Sequence, residues 1–287
     1  MRRPLAALAL ALLLVTAGCN TTGGGPGTAT GSATPAPVPS DSPTATPERV
    51  VPGLTLNGVV DAERLVRAHE TALIGERYVY QFDGARRANN TTVAGYSGSF
   101  TAGPDCGSYT YRAYRDRPAP SRLTQWYANG SVALSRSFDV NLSTVDPDDL
   151  LVEPRPEPVT RDGAPADPCA VRPLDPRRSD VLAALYGNLS FTVRERFDGY
   201  VLLATNGSVP VLDVADPGGA PVTDVTVRTA RVQLTDEGRV VSVSVSFAGR
   251  SGEGRVEGSH SFRVYEGDDV AATPPWPANA TATASEG

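Results

Sequence analysis

The residues able to do chemistry in this 287-residue chain are few and widely spaced: three cysteines and two histidines, His69 and His260. A protein metal site needs Cys, His or carboxylate ligands at close, regular spacing. The chain has no CxxC pair and no third histidine, so no metal and no other cofactor is expected. Asp148–Asp149 and Asp268–Asp269 lie in proline-flanked or terminal stretches, where a solvated turn explains them better than general acid–base work. "GYSGS" (Gly95 to Ser99) fails the hydrolase elbow at its last position, and "GEGRVEG" (Gly252 to Gly258) lacks the spacing and the Lys of a phosphate loop. No catalytic residue is assigned, and the chain is not read as an enzyme.

Cys19 stands apart. It ends "MRRPLAALALALLLVTAGC", in which Arg2 and Arg3 give a positive start, Leu5 to Val15 an apolar core, and Thr16, Ala17 and Gly18 a small-residue approach. That is the three-part layout of a secretory signal peptide. A membrane-crossing helix wants about 20 apolar residues, and this run is shorter. "VTAGC" resembles the lipobox of prokaryotic lipoproteins. The resemblance implies cleavage after Gly18, a lipid on the Cys19 sulfur, and a membrane anchor facing the cell exterior. Arg2 and Arg3 also fit a twin-arginine export route, although its full motif is missing.

The segments around the leader divide the chain. Residues 19–48 form a lipid-anchored, low-complexity tether, rich in Thr, Pro and Gly and with Val38 as its lone apolar side chain larger than Ala. Such a stretch cannot bury enough surface to offset the entropy of ordering. Residues 273–287 read as a second low-complexity tail, expected to be disordered. Residues 49–272 remain for a single folded domain, interrupted at 146–176 by a Pro- and Asp-rich connector where no strand or helix is expected.

Charge and composition exclude other partners. All 26 basic residues are Arg, against 32 acidic ones. Loss of Arg2 and Arg3 with the leader leaves 24 against 32, a net −8, the acidic kind of surface expected in a salt-loving organism. Nucleic acid wants clustered positive charge, so it is set aside. Eight Asn-x-Ser/Thr sequons offer glycan acceptors to an exported chain, and the turn-borne Asn129 ("YANGSV") and Asn206 ("ATNGSV") are the candidates. With Cys19 assigned to lipid, Cys106 and Cys169 are an even pair in an oxidising compartment, and a disulfide between them is expected.

The elements that must position these residues follow from periodicity. Asp61 reads as an N-cap, followed by Leu65, Ala68, His69, Ala72 and Leu73 at helical spacing. Period two then takes over: Tyr78, Tyr80 and Phe82 share one face, and Tyr109 and Tyr111 another. Asn129-Gly130 marks a hairpin. Beyond the connector, Ser179 can cap a short helix over "DVLAALYG", and five strand-like runs follow. Val241, Val243, Val245 and Phe247 alternate there with serines, so one face is dry. His260 shares the apolar phase of the last run with Phe262 and Val264. It is either a buried, hydrogen-bonded residue or part of a cavity wall.

"ALIG" (Ala72 to Gly75) and "ALYG" (Ala184 to Gly187) each end a helix and introduce strands, so the order helix-then-strands occurs twice. These features predict an α+β fold, a curved antiparallel half-barrel sheet with helices on its concave side; an all-β sandwich is the alternative. The chain resembles haloarchaeal lipoproteins of uncharacterised function in its lipobox, its tether, an "AHE…L.G..Y.Y" opening (Ala68, His69, Glu70, Leu73, Gly75, Tyr78, Tyr80) and a "D.EGRV..V.VSF.G" hairpin over Asp236 to Gly249. More remotely, its layout is similar to the half-barrel of outer-membrane lipoprotein carriers and mycobacterial lipid-transporting lipoproteins. That likeness implies a sheet wrapped around an apolar cavity holding acyl chains.

Two functions are therefore expected to compete. One is a membrane-anchored carrier of an apolar or lipid-like ligand, with Tyr78, Tyr80, Phe82, Tyr109, Tyr111 and His260 as cavity residues. The other is a structural or interaction protein of the cell envelope. A carrier needs a cavity of several hundred Å³, whereas a structural module fills that space with its own side chains.

Overall fold

A computed structural model describes residues 48–116, 120–140, 156–175, 177–213, 221–252 and 254–266. Cys19, the tether, the tail and much of the connector lie outside them. Sixteen strands and two helices are present among the described residues. Strands β1 (Arg49–Val51), β2 (Leu54–Thr55) and β3 (Gly58–Val59) form a small antiparallel sheet. Helix α1 (Ala62–Ala72) follows, then β4 (Tyr78–Ala88), β5 (Thr91–Ala102), β6 (Ser108–Asp116), β7 (Ser121–Asn129) and β8 (Ala133–Val140). The connector carries β9 (Glu157–Pro158), β10 (Thr160–Arg161) and β11 (Ala164–Pro165). Helix α2 (Ser179–Asn188) opens the second half, with β12 (Thr192–Arg196), β13 (Gly199–Leu212), β14 (Val222–Leu234), β15 (Val240–Ser251) and β16 (Gly254–Glu266).

Eleven strands join in one sheet of order β12-β13-β14-β15-β16-β4-β5-β6-β7-β8-β9, each pair antiparallel. The α+β expectation is overturned: strands make up most of the described structure, and two helices of 11 and 10 residues do not constitute a helical layer. The all-β alternative fits, with its main strands hydrogen-bonded in a single series. The physical reason is strand length. Tight-turn residues inside several runs do not end them, so strands reach 11 to 14 residues and take up chain that shorter strands would have left for other elements. The repeated order itself is present: each helix precedes five consecutive antiparallel strands, and β16 pairs with β4 to join the two sets.

Local chemistry explains the helix starts. Asp61 caps α1 as its spacing predicts: its backbone is extended, and Oδ1 accepts from the Arg64 amide at 2.9 Å. Leu65, Val66 and His69 form the buried stripe. Ser179 does not cap α2. The N-cap is Arg178, in the left-handed conformation and with no side-chain cap bond, while the Ser179 hydroxyl donates to Glu70 Oε1 on α1 at 2.5 Å.

Three further expectations change. The connector does hold strands, because Pro158 and Pro165 occupy edge positions where a missing amide hydrogen is tolerated. The "ATNGSV" stretch is not a turn; Asn206 sits within β13 at positive φ, where the pairing with β14 skips a residue. On β15 the dry face begins at Val240, not Val241, because the register with β14 shifts at Gln233/Leu234; Val243, Val245 and Phe247 then point inward. One hydrophobic core runs beneath sheet and helices, and each fully buried Val, Leu or Phe in it contributes about 1.5–3 kcal/mol.

Candidate functional site

The aromatic residues singled out from period two do come together. Tyr78, Tyr80 and Phe82 alternate inward on β4, Tyr109 and Tyr111 on β6, and β5 lies between them, placing Phe100 opposite both Tyr80 and Tyr111. Phe100 stacks on Tyr109 with ring centres 5.2 Å apart, and Phe82 on Tyr111 at 6.3 Å. Across the β4–β16 seam, Phe82 pairs with Phe262, whose ring lies 5.2 Å from Tyr80 and 6.1 Å from His260.

Two glycines make this packing fit, and sequence reasoning passed over both. The Phe82 ring lies across Gly98, where an added Cβ would come within 2.5 Å of Cζ. Gly84 is covered in the same way by the Tyr96 ring, which thereby reaches His260, with Tyr96 Oη 3.3 Å from His260 Nδ1. Interior strand glycines flanked by aromatic residues were the available signal.

As a result, the expected cavity residues mostly fill space instead of enclosing it. All six are between 0 and 5 % exposed, and all but Tyr78 pack a ring against an aromatic neighbour: Tyr80 and Tyr111 on Phe82, Tyr109 on Phe100, and His260 on Phe262. Tyr78 and Tyr109 are the exceptions, since they also wall a hollow of about 100 Å³ beside the end of α1. Leu73, Phe100, Arg172 and Arg177 line it too, with the exposed Ile74 at its rim. Burial pushes the Tyr78 hydroxyl up to about 12 against the opposing pull of Arg177 and Arg172, and burial pushes Tyr109 to about 12 against Arg172. Both therefore stay protonated donors, so the hollow combines an apolar floor with hydroxyls and two guanidinium groups. A second hollow, about 530 Å³ and open, lies at the far ends of β14, β15 and β16; Asp224, Arg250, Ser251 and Arg255 make it polar.

The disulfide is formed: Cys106 and Cys169 are bonded with their Cα atoms 5.1 Å apart, fastening the β5–β6 turn to the connector near the first hollow. Asn129 is exposed in the β7–β8 turn, with Oδ1 accepting from the Ser131 and Val132 amides; Asn206 is exposed on β13.

Each histidine has a structural position. His69 is fully buried on α1, where Nε2 donates to Arg177 O at 3.1 Å and Nδ1 accepts from the Val240 amide at 3.0 Å. It therefore ties α1 to β15 and to the approach to α2. Burial holds its pKa down to about 4. His260 is held down to about 3, first by burial and then by the Arg178 cation. Arg178 was missed at the sequence level. Its side chain is 2 % exposed, bonded through Nη2 to Asp213 O and lying 3.6 Å from Asp213 Oδ1. Among the described residues no group of three His, Cys, Asp or Glu side chains could hold a metal ion, and no helix is long and apolar enough to cross a membrane.

No family model matches the chain. A curated relative, the 3-phosphoshikimate 1-carboxyvinyltransferase of Parvibaculum lavamentivorans, is 34 % identical over 83 residues, covering 25 % of this chain and 18 % of that enzyme. The chain thus spans under a fifth of that relative's length, and its activity is not carried over. Among solved structures, LprF from Mycobacterium bovis is similar with a TM-score of 0.36 and 11 % identity, over 77 % of this chain and 99 % of that one. A DUF1329 family protein from Desulfovibrio piger follows with TM-score 0.26, 8 % identity, and 73 % and 93 % coverage. A LolA superfamily protein from Nitrosomonas europaea has TM-score 0.19, 9 % identity, and 71 % and 91 % coverage. At TM-scores below 0.5 we rest neither fold nor function on these likenesses.

Proposed function

We propose that this chain is an exported lipoprotein, anchored in the cell membrane through Cys19 and facing the exterior, that binds part of an apolar or lipid-like molecule. The leader and the cysteine at its end support the address. The observation that carries the binding reading is the hollow at the end of α1. There Leu73, Tyr78, Phe100 and Tyr109 offer apolar surface, while Arg172 and Arg177 offer charge for a polar end. Its volume of about 100 Å³ is several times what one water needs, yet below the ~300–1,000 Å³ of drug-sized sites. It suits the end of a chain or a headgroup, not a whole lipid.

Native mass spectrometry of the full chain, purified from its host with gentle extraction, tests this. The expected result is a bound apolar molecule in fixed stoichiometry, with C19A recovered in the medium instead of the membrane. An apo mass that takes up no added lipid refutes the carrier. The second reading, a structural or interaction module of the envelope, is favoured by the self-packed Tyr80, Phe82 and Tyr111 and would survive that outcome.

A further inference from the structure

The hollow at the end of α1 is walled by pieces of chain that are fixed without a ligand. The end of α1, the start of β4, the β5–β6 turn and the stretch carrying Arg172 and Arg177 meet there. That last stretch is clamped at both ends. The disulfide from Cys106, itself part of the wall, holds Cys169 just before Arg172. Beyond it, His69 Nε2 donates to Arg177 O at 3.1 Å, and the Arg177 amide donates to Asp175 Oδ1 at 3.2 Å. Two guanidinium groups are thus carried on fixed backbone at one small hollow, whereas a solvated surface pair would need no such clamps.

The charge and the donors there favour an anion. Both arginines are half-buried, and among the described residues neither guanidinium is ion-paired. Opposing charge comes from three places. Asp105 is in the wall with Oδ1 accepting from the Gly107 amide at 3.1 Å, and Asp175 stands outside the wall on the Arg177 amide. The C-terminal end of α1 adds about half a negative charge, which fades within its last turn. Both carboxylates are exposed, so solvent screens them more than the half-buried guanidinium groups, and positive charge prevails in the hollow. The Tyr109 hydroxyl is a buried donor with no hydrogen-bond partner, and its raised pKa keeps the proton on it. Such a donor calls for an acceptor. A space of about 100 Å³ admits one carboxylate or phosphate but no acyl chain, and Ile74, 64 % exposed at the rim, offers a chain an apolar way out.

We propose that this hollow receives one oxyanion, a carboxylate or a phosphate, between Arg172 and Arg177 with the Tyr109 hydroxyl as a further donor, while the apolar part of the molecule leaves over Leu73 and Ile74. The assignment rests on the carrier reading and narrows its ligand to acidic amphiphiles. A free anion would fill the same place without a carrier.

The test uses the full chain with the fluorescent fatty acid cis-parinaric acid beside its uncharged methyl ester, and with acetate and inorganic phosphate by thermal shift at matched ionic strength. The expected result is one parinarate per chain, bound about ten- to hundredfold more tightly than the ester, as for hydrogen bonds to a charged group. R172M/R177M should abolish that preference, and Y109F should reduce it severalfold. Equal affinity for acid and ester in the wild type, or a preference that survives in R172M/R177M, overturns the oxyanion site and leaves the carrier standing. If R172M/R177M does not fold, Y109F decides, because the lost hydroxyl has no partner in the unliganded chain; an unchanged preference in Y109F then overturns the site. A Tm raised by acetate or phosphate in the wild type but not in R172M/R177M, without parinarate uptake, keeps the oxyanion site and ends the carrier reading. No response to any of the four probes overturns both.

Discussion

Acidification should unfold this protein through its two histidines. His69 and His260 are the whole histidine content of the chain, and both are buried neutral, with pKa values lowered from 6.5 to about 4 and about 3. The unfolded chain takes up a proton at each near pH 6.5, while the folded chain refuses it, so stability is complete above about pH 6.5 and falls as the pH drops toward 4. At 1.36 kcal/mol per pH unit, His69 accounts for about 3 kcal/mol and His260 for about 5 kcal/mol. Together, at about 8 kcal/mol, they are comparable to the ~5–15 kcal/mol that holds a typical domain together. Between pH 6 and 5 the stability measured by urea unfolding and circular dichroism should fall by about 2 kcal/mol, as the unfolded histidines complete their protonation while the folded ones stay neutral. H69Q, which keeps a donor and an acceptor, and H260F, which joins the aromatic cluster, should each halve that fall. A wild-type stability that stays flat from pH 7 to 5 would refute the buried neutral histidines, and with them the α1–β15 tie through His69.

Two further perturbations test the scaffold. The C106S/C169S variant opens a link across 63 residues and should lose about 4 kcal/mol in the chain-entropy model, seen as a lower urea midpoint that added reductant does not lower further. G84A would drive a methyl into the Tyr96 ring and to within 2.7 Å of Ser259 O, costing about 1–3 kcal/mol by overpacking. G84A/Y96V should recover part of it in a double-mutant cycle, and simple additivity of the two changes would show that Tyr96 does not lie over Gly84.

Much of the local order was legible. The Asp61 cap needs only the next three residues, and the turn at Asn129-Gly130 only the four residues between the paired Ala128 and Ala133, so both were readable. Alternation along β4, β6, β15 and β16 correctly assigned most inward faces, because side chains on a strand alternate whatever its neighbours do. Reading failed where partners are remote in sequence. Ser179 looks like a cap, but Glu70, 109 positions away, takes its hydroxyl. Asn206-Gly207 looks like a turn, but pairing with β14 carries the strand through.

The sequence by itself determined the Cys106–Cys169 pair, the two helix-then-strand sets and the aromatic stripes, because each is set by composition or by spacing along one element. Only the tertiary structure decided that eleven strands form one sheet, that the stripes pack on each other across Gly84 and Gly98, and that Arg178 is buried near Tyr80 and His260. Those outcomes depend on which distant surfaces meet. β16 pairs with β4 across some 180 residues of chain, and no local pattern encodes what then fills the space beneath them.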